Sequence, residues 1–458
     1  MLNRIEASNF KSFKHLDYKC AKLNLLTGLN GAGKSSFIGL LLMLRSLANR
    51  KLVPSIDVPL KELCFPGKFD SLKYCYACED DAVSFRVQFS AKENFAWTEG
   101  ELQGGCVSRI VEPDESDSAL VGICHPEIVT AFAKKLQKEE FRKVYSKIIS
   151  EENAICSAFQ NTWENVIYVD AFRQRPTDMY VGTGKYGSSA GATSEGGFDP
   201  EGNDIIEYLY KFGCTHKLDE SNPMIFPGSS LLQRTENEEE LFKTSPMAYF
   251  RDDPFWFDDS CRVSRRYSLL KDQMDAWLGI VSPGARLLIE RVEIGDEEDF
   301  IAKVAFGDND AIREFKPQNV GFGISYVLPV LATLLTARPT DIIIIENPEA
   351  HIHPKGQSKI GELIARAVAY GVQVFVETHS DHVINGIRVA VRDGILKPED
   401  VNIAFFERKE HLKDDAKDSD DTEIYSEIRN IKVDVNGSLS EYPEDFLDEW
   451  NNQLLELM

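Results

Sequence analysis

The stretch "LNLLTGLNGAGKSSFIGLLLML", Leu23 to Leu44, decides the fold. Its apolar run, Leu23, Leu25 and Leu26, stops at Gly28, and after Gly33-Lys34-Ser35 the apolar spacing lengthens from that of a strand to that of a helix. Gly28 to Ser35 fits the pattern G-x-x-x-x-G-K-[ST], placed between a predicted buried strand and a predicted helix. Glycines at 28, 31 and 33 let the backbone curl so that successive N–H groups point at one anion. A helix beginning near Lys34 adds its positive end. In that arrangement Lys34 neutralises the outer phosphates of a nucleotide and Ser35 sets its hydroxyl on Mg²⁺. A glycine-rich turn that binds nothing has no need of this strand-and-helix context, so nucleotide binding anchors the reading.

At 458 residues and 43% hydrophobic, the chain has room for two or three domains, or for one large domain with insertions. The opening MLNRIEASNFKSFKHLDYKC has no apolar core with a cleavage site, and no stretch reaches about eighteen apolar residues, so a cytoplasmic protein without membrane contact is expected. Nine cysteines, at 20, 64, 75, 78, 106, 124, 156, 214 and 261, form no disulfide framework and read as reduced. Cys75 and Cys78 have metal-ligand spacing, but no second pair follows, and "SLKYCYACEDDAVSFRVQFS" reads as two strands around a turn. The formal charge of −23 opposes non-specific attraction to nucleic acid or to an anionic membrane. "RVSRRYSLLK", Arg262 to Lys271, is the best local basic patch, and its bland alternative is a solvated helix face.

Along the chain, "RIEASNF" and "KLNLLTG" alternate as strands, and further strands are expected near 70–92. From His125 to Val166 apolar residues recur at three-to-four spacing among many charges, which predicts one or two amphipathic helices. "VIYVDAF", Val166 to Phe172, is again strand-like, and the Gly- and Ser-rich stretch after it reads as a flexible loop. "ARLLIERVEIG" and "FIAKVAFG" read as strands, and the acidic run Lys413 to Glu423 reads as a disordered surface loop rather than a metal site.

A second informative region is "DIIIIENPEAHIHP", Asp341 to Pro354. Four consecutive isoleucines predict a strand buried on both faces, as in the parallel centre of an α/β sheet. Glu346 ends it, where a Walker-B carboxylate holds Mg²⁺. Another buried strand, from Val372, ends in Thr378-His379-Ser380.

The order "NFKSF", "GLNGAGKSS", "NVGFGISYVLPVL", "IIIIENPEAHIHP", "VFVETHS" resembles the ABC-type ATPase heads of the SMC, RecF and OLD-nuclease class. "NGSLSEYPEDFLDEW" resembles a small tail domain carried by a bacterial subset of those ATPases. The resemblance implies an α/β P-loop NTPase of ABC type: a mixed sheet with helical insertions and a small C-terminal tail domain. It also implies ATP and Mg²⁺ as cofactors. Gly28, Asn30, Gly31, Gly33, Lys34, Ser35 and Ser36 then form Walker A, with Ser35 and Glu346 on the metal. Lys11 reaches the α-phosphate or ribose. Gly321, Gly323 and Ser325 form the signature region, which in such heads touches the γ-phosphate held by the opposite protomer. His379 is the switch histidine.

Two departures matter. The usual Leu-Ser-Gly-Gly-Gln signature is here Gly-Phe-Gly-Ile-Ser. The position after the Walker-B acid, where such heads carry the water-polarising glutamate, is Asn347, an amide that orients water without accepting a proton. Glu349 is therefore the expected base, with Asn347 and His379 beside it.

Expected divisions are 1–115, the N-terminal head lobe; 116–165, a helical insertion; 166–283, a strand, flexible loop and helical subdomain; 284–400, the C-terminal head lobe; and 401–458, the tail. The resemblance implies a head-to-head homodimer, with larger even-numbered assemblies open. The stretch after His379 reads as too short for an OLD-type nuclease domain plus the tail. Similarity to the ATPases of bacterial antiphage systems such as Septu (PtuA-like) thus implies a separately encoded effector, a nuclease, with DNA reached through that partner. A nucleotide-gated scaffold with little hydrolysis and a RecF/SMC-like DNA-repair ATPase are the alternatives.

Overall fold

The computed structural model describes residues 1–49, 58–59, 74–77, 83–93, 96–111, 117–124, 163, 166–173, 177, 179–181, 204–219, 222–225, 269–294, 297–306, 313–412, 422–444, 446, 453 and 456–457. The central sheet contains β3 (Leu23–Gly28), β8 (Val166–Val169), β13 (Ile342–Glu346), β14 (Gln373–Glu377), β15 (Val401–Leu412) and β16 (Thr422–Ile431), in the order β16-β15-β3-β14-β13-β8. All neighbours from β15 to β8 are parallel, and β16 closes the edge antiparallel. The phosphate-loop strand β3 and the Walker-B strand β13 are separated by the one strand β14, and this order brings the three strand ends together.

The four isoleucines show why β13 is a continuous apolar run. Ile342 and Ile344 pack with Phe37, Leu40 and Leu41 of α1 (Lys34–Asn49). Ile343 and Ile345 pack with Ile360, Leu363 and Ile364 of a helix at Pro354–Tyr370. A strand covered on both faces has no polar side to show.

On the other side of α1 lies an antiparallel sheet of β1 (Leu2–Phe10), β2 (Phe13–Lys19), β4 (Val58–Pro59), β5 (Val83–Glu93), β6 (Ala96–Val111) and β7 (Asp117–Cys124), ordered β2-β1-β5-β6-β7-β4. Phe37 bridges the two sheets, with ring centroids 5.0 Å from Tyr18, 5.9 Å from Phe406 and 6.4 Å from Phe375. A third, smaller sheet joins β9 (Met179–Val181), β10 (Arg286–Ile294), β11 (Glu297–Phe306) and β12 (Arg313–Phe315). Helices α2 (Ile205–Phe212), α3 (Leu270–Val281), α4 (Phe322–Thr336), α5 (Pro354–Tyr370) and α6 (Asp381–Arg392) share the core on the Ile343 face.

One expected boundary changes. β7 occupies 117–124 and extends the antiparallel sheet, so the helical insertion does not begin at 116; residues 125–162 lie outside the described residues. Of the expected tail, 401–431 pairs into the central sheet, β15 with β3 and β16 with β15. Of the acidic run, Glu423 belongs to β16, is buried, and pairs with Lys14 at 3.0 Å, while 413–421 lie outside the described residues. So do Cys78, the Gly/Ser-rich stretch 182–203 and residues 262–268 of the basic patch; Lys271 of that patch pairs with Asp275 on α3.

The two large sheets are tied by buried polar side chains. Asn24, fully buried on β3, accepts from the Tyr18 hydroxyl (3.0 Å) and the Ala21 N–H (2.9 Å) and donates to the Ala21 carbonyl (2.8 Å). Gln373 on β14 accepts from the Leu2 N–H (2.7 Å) and donates to the Leu2 carbonyl (2.8 Å). Replacing Asn24 by Leu leaves the Ala21 N–H and the Tyr18 proton without the acceptor they use, while the Ala21 carbonyl keeps Gln373, so Asn24→Leu is expected to lower the unfolding free energy by about 2–4 kcal/mol. Urea denaturation reads this directly, and an unchanged midpoint would contradict the tie.

Candidate functional site

The site lies where β3, β14, β13 and β8 end. Gly28 has φ 132°, and a Cβ there would stand 2.3 Å from the Phe406 carbonyl oxygen, so only glycine fits the turn out of β3. Leu29, Asn30 and Gly31 form an exposed tip, and Ser35 is exposed near the start of α1 with Ser36 half-buried beside it. Lys34 is nearly buried, and its Nζ donates to the carbonyls of Gly28 (2.8 Å) and Leu29 (2.9 Å). Burial lowers the Lys34 pKa, and the nearby Glu377 opposes that shift.

The β1–β2 turn reaches this loop, as "NFKSF" implied. Lys11 has φ 50° and a pKa lowered by burial. A Cβ at Gly33 would lie 2.9 Å from Ser12 Oγ and 2.6 Å from Ser426 Oγ. Ser12 Oγ is buried without a hydrogen-bond partner among the described residues, an orphaned polar atom against the phosphate loop.

On the Walker-B side Glu346 accepts from the Tyr168 hydroxyl at 2.8 Å. Its carboxyl is raised by burial, which the Tyr168 hydrogen bond opposes. Asn347 has φ 45°, and its N–H donates to the Glu377 carbonyl at 2.9 Å. Glu349 Oε1 accepts from the His379 N–H at 2.9 Å, while Oε2 is buried with no hydrogen-bond partner among the described residues. Burial raises the Glu349 carboxyl, opposed by that backbone hydrogen bond. His379 is exposed at the mouth; its pKa is lowered by partial desolvation and then by Lys34.

Two residues join this cluster that the motifs alone did not single out. Glu377 ends β14 directly beside Glu346 in the parallel register and is 6% exposed. Burial, then the charges of Glu346 and Glu349, push its carboxyl up to about 7 against the pull of Lys34. Its signal in the sequence was a carboxylate closing an otherwise apolar strand just before Thr378-His379. Arg173, four residues past β8, is buried and donates to the backbone carbonyls of Glu346 and, at 3.2 Å, Asn347. Its pKa is lowered to about 10 by burial, and Glu349 is the foremost of the acids that oppose this.

The signature residues sit elsewhere. Gly321 (φ 88°) caps α4, and a Cβ at Gly323 would stand 2.4 Å from the His351 carbonyl oxygen. Phe322 and Tyr326 pack on the His351 ring at 5.7 and 5.0 Å. Ser325 is half-buried in the first turn of α4. No hydrogen bond among the described residues joins Gly321, Gly323 or Ser325 to residues 28–36. The structure thus gathers the phosphate loop, the Lys11 turn, Glu346, Asn347, Glu349 and His379, and packs the signature segment on His351 of the loop that follows Glu349, with no hydrogen bond to residues 28–36 among the described residues.

These residues fit a magnesium nucleotide. The loop offers N–H donors and Lys34 for phosphates, and Ser35 and Glu346 offer hard oxygen ligands of the kind Mg²⁺ would take. Among the described residues no group of three or more His, Cys, Asp or Glu is arranged to hold a metal by itself, so the phosphates and waters complete such a site. No helix among the described residues is long and apolar enough to cross a membrane.

Comparison with known proteins agrees with the class. Residues 207–385 match the family model described as "AAA domain, putative AbiEii toxin, Type IV TA system", a span that holds the signature, Walker-B and switch segments but not the phosphate loop. Residues 396–457 match "Protein of unknown function (DUF3696)". No curated protein matches the sequence. Among solved structures, an SMC head bound to the C-terminal winged-helix domain of ScpA is 12% identical with a TM-score of 0.39, covering 93% of this chain and 97% of that one. An SMC head with an extended coiled coil bound to the C-terminal domain of ScpA, from Pyrococcus furiosus, is 12% identical with a TM-score of 0.39 over 100% and 99%. The SMC head of Thermotoga maritima is 8% identical with a TM-score of 0.33 over 89% and 94%. Scores this low carry no weight for the fold, which rests on the strand order and the phosphate loop. The strand order, the phosphate loop and the matched segment together define an α/β fold with a P-loop ATPase domain.

Arg173→Met removes a buried charge that holds two carbonyls and faces the acids, so it is expected to destabilise the chain by about 3 kcal/mol. Chemical denaturation measures this, and a wild-type midpoint would show that the Arg173 contacts add nothing.

Proposed function

We propose that the chain binds Mg²⁺-ATP on the edge formed by residues 28–36 and Glu346, and hydrolyses it with Glu349 as general base. The observation that carries this is the meeting of three strand ends: Lys34 on the loop from β3, Glu346 on β13, and the Glu349 carboxylate held by the His379 amide beyond β14. Lys34 and the loop amides bind the phosphates, and Lys11, next to the Ser12 that abuts Gly33, serves the α-phosphate or ribose. Ser35 and Glu346 hold the metal, which when bound neutralises phosphate charge. Glu349 Oε2 is the free acceptor for a proton from the attacking water, and His379 faces the γ-phosphate from the mouth.

The signature segment implies a second copy. With Gly321, Gly323 and Ser325 remote in bonding from their own phosphate loop, their natural ligand is the γ-phosphate on a partner chain, in a head-to-head homodimer or a higher even-numbered assembly. ATP bound across such an interface favours the closed state, and hydrolysis removes that bias. On the resemblance to antiphage ATPases, the cycle controls a separately encoded nuclease in bacterial defence. The matched family's description, which names a toxin of a toxin–antitoxin system, supports a role beside a partner gene product.

Asn347 favours a second reading, a nucleotide-gated scaffold with little turnover. Its left-handed backbone suits Asn, and there a Glu, the usual base of this position, is costlier by about 1 kcal/mol.

Lys34→Ala is expected to abolish ATP binding, because backbone amides alone cannot offset the phosphate charge. Unchanged affinity in a calorimetric titration would overturn the assignment. Glu349→Gln is expected to cut single-turnover hydrolysis roughly a hundredfold while ATP affinity stays within a few-fold. Normal hydrolysis by this variant would make Glu349 a structural carboxylate, and absence of hydrolysis in wild type would leave the scaffold.

A further inference from the structure

Glu377 is a buried carboxylate in a place meant for anions. Alternation along the strands sets its side: Phe375, two residues before it, packs with α1, as does Ile344, two residues before Glu346. Glu346 and Glu377 therefore point to the same face of the sheet, toward α1 and Lys34, side by side on neighbouring strands. At 6% exposure, Glu377 has no hydrogen-bond donor to its carboxylate among the described residues. Lys34 is near, but its Nζ donates to the carbonyls of Gly28 and Leu29 instead. The Tyr168 hydroxyl donates to Glu346, and Arg173 donates to backbone carbonyls.

Two like charges side by side, one of them buried and without a donor, cost stability and repel a triphosphate. A divalent cation reverses both effects. We propose that Glu377 pairs with Glu346 as a second carboxylate ligand of the cation that accompanies the nucleotide. This rests on the nucleotide reading above. The cation draws on two neighbouring strands, so its affinity depends on the β13–β14 register as well as on the Walker-B residue.

Mn²⁺ serves as the probe. Wild type, Glu377→Gln and Glu377→Asp are each saturated with a non-hydrolysable ATP analogue, and bound Mn²⁺ is measured by electron paramagnetic resonance; affinity for the metal-free analogue is measured in parallel. Glu377→Gln is expected to weaken Mn²⁺ binding by about tenfold or more. The same change removes a negative charge near the phosphates, so metal-free analogue should bind as well as, or more tightly than, in wild type. Glu377→Asp, which keeps the charge, should fall between. Mn²⁺ affinity within twofold of wild type in Glu377→Gln would overturn the proposal. So would an equal loss of Mn²⁺ and metal-free analogue binding, since that marks a collapsed loop. A wild-type chain that binds no analogue at all overturns the nucleotide reading itself, a result distinct from a variant that matches wild type.

Discussion

Parallel pairing of β3, β14 and β13 sets Leu26, Glu377 and Glu346 in one row across three strands, and the rest of the site depends on it. One residue past Glu377, the Thr378 N–H still donates to Leu26, so the switch segment is fixed to the phosphate-loop strand. One residue past Glu346, the Asn347 N–H donates to Glu377, so the Walker-B loop is fixed to the switch strand. A slip of one residue would turn both carboxylates to the opposite face, away from Lys34. The apolar residues of these strands are buried on both faces, which specifies the register strongly.

The row faces α1, where the two large sheets meet. Phe37 touches Tyr18 of the antiparallel sheet and Phe375 and Phe406 of the parallel one, so the helix that opens at Lys34 also joins the sheets. The β1–β2 turn and Ser426 of β16 then close on Gly33 from the same side. Strands far apart in sequence thus shape one loop, and 401–431 contributes to it through β15 and β16.

Much of this was legible in the residues. Gly28 to Ser35, the four isoleucines before Glu346, and the strand before His379 each carry a local signal, either a glycine pattern or an apolar run. What escaped was set by strand order, which no local pattern encodes. Glu377 reads as an ordinary strand end until β14 is placed between β3 and β13. Arg173 lies more than 170 residues before the carbonyls it holds. β15 carries a short apolar run, Ile403 to Phe406, and only its pairing with β3 shows where in the sheet it lies. Asn347 was legible as a missing base but not as a backbone requirement, since its positive φ appears only in the fold.

The central proposal is a site that joins the phosphate loop of one copy to the signature segment of another. Mixing two inactive variants tests this most directly. A Lys34→Ala copy keeps its signature segment, a Ser325→Arg copy keeps its phosphate loop, and a mixed dimer contains one intact site. If each variant alone is inactive, an equal mixture should recover about a quarter of wild-type ATP turnover, because half the dimers are mixed and each has one working site of two. Wild-type turnover by Ser325→Arg alone, or no recovery at any mixing ratio, would contradict a site shared between two chains.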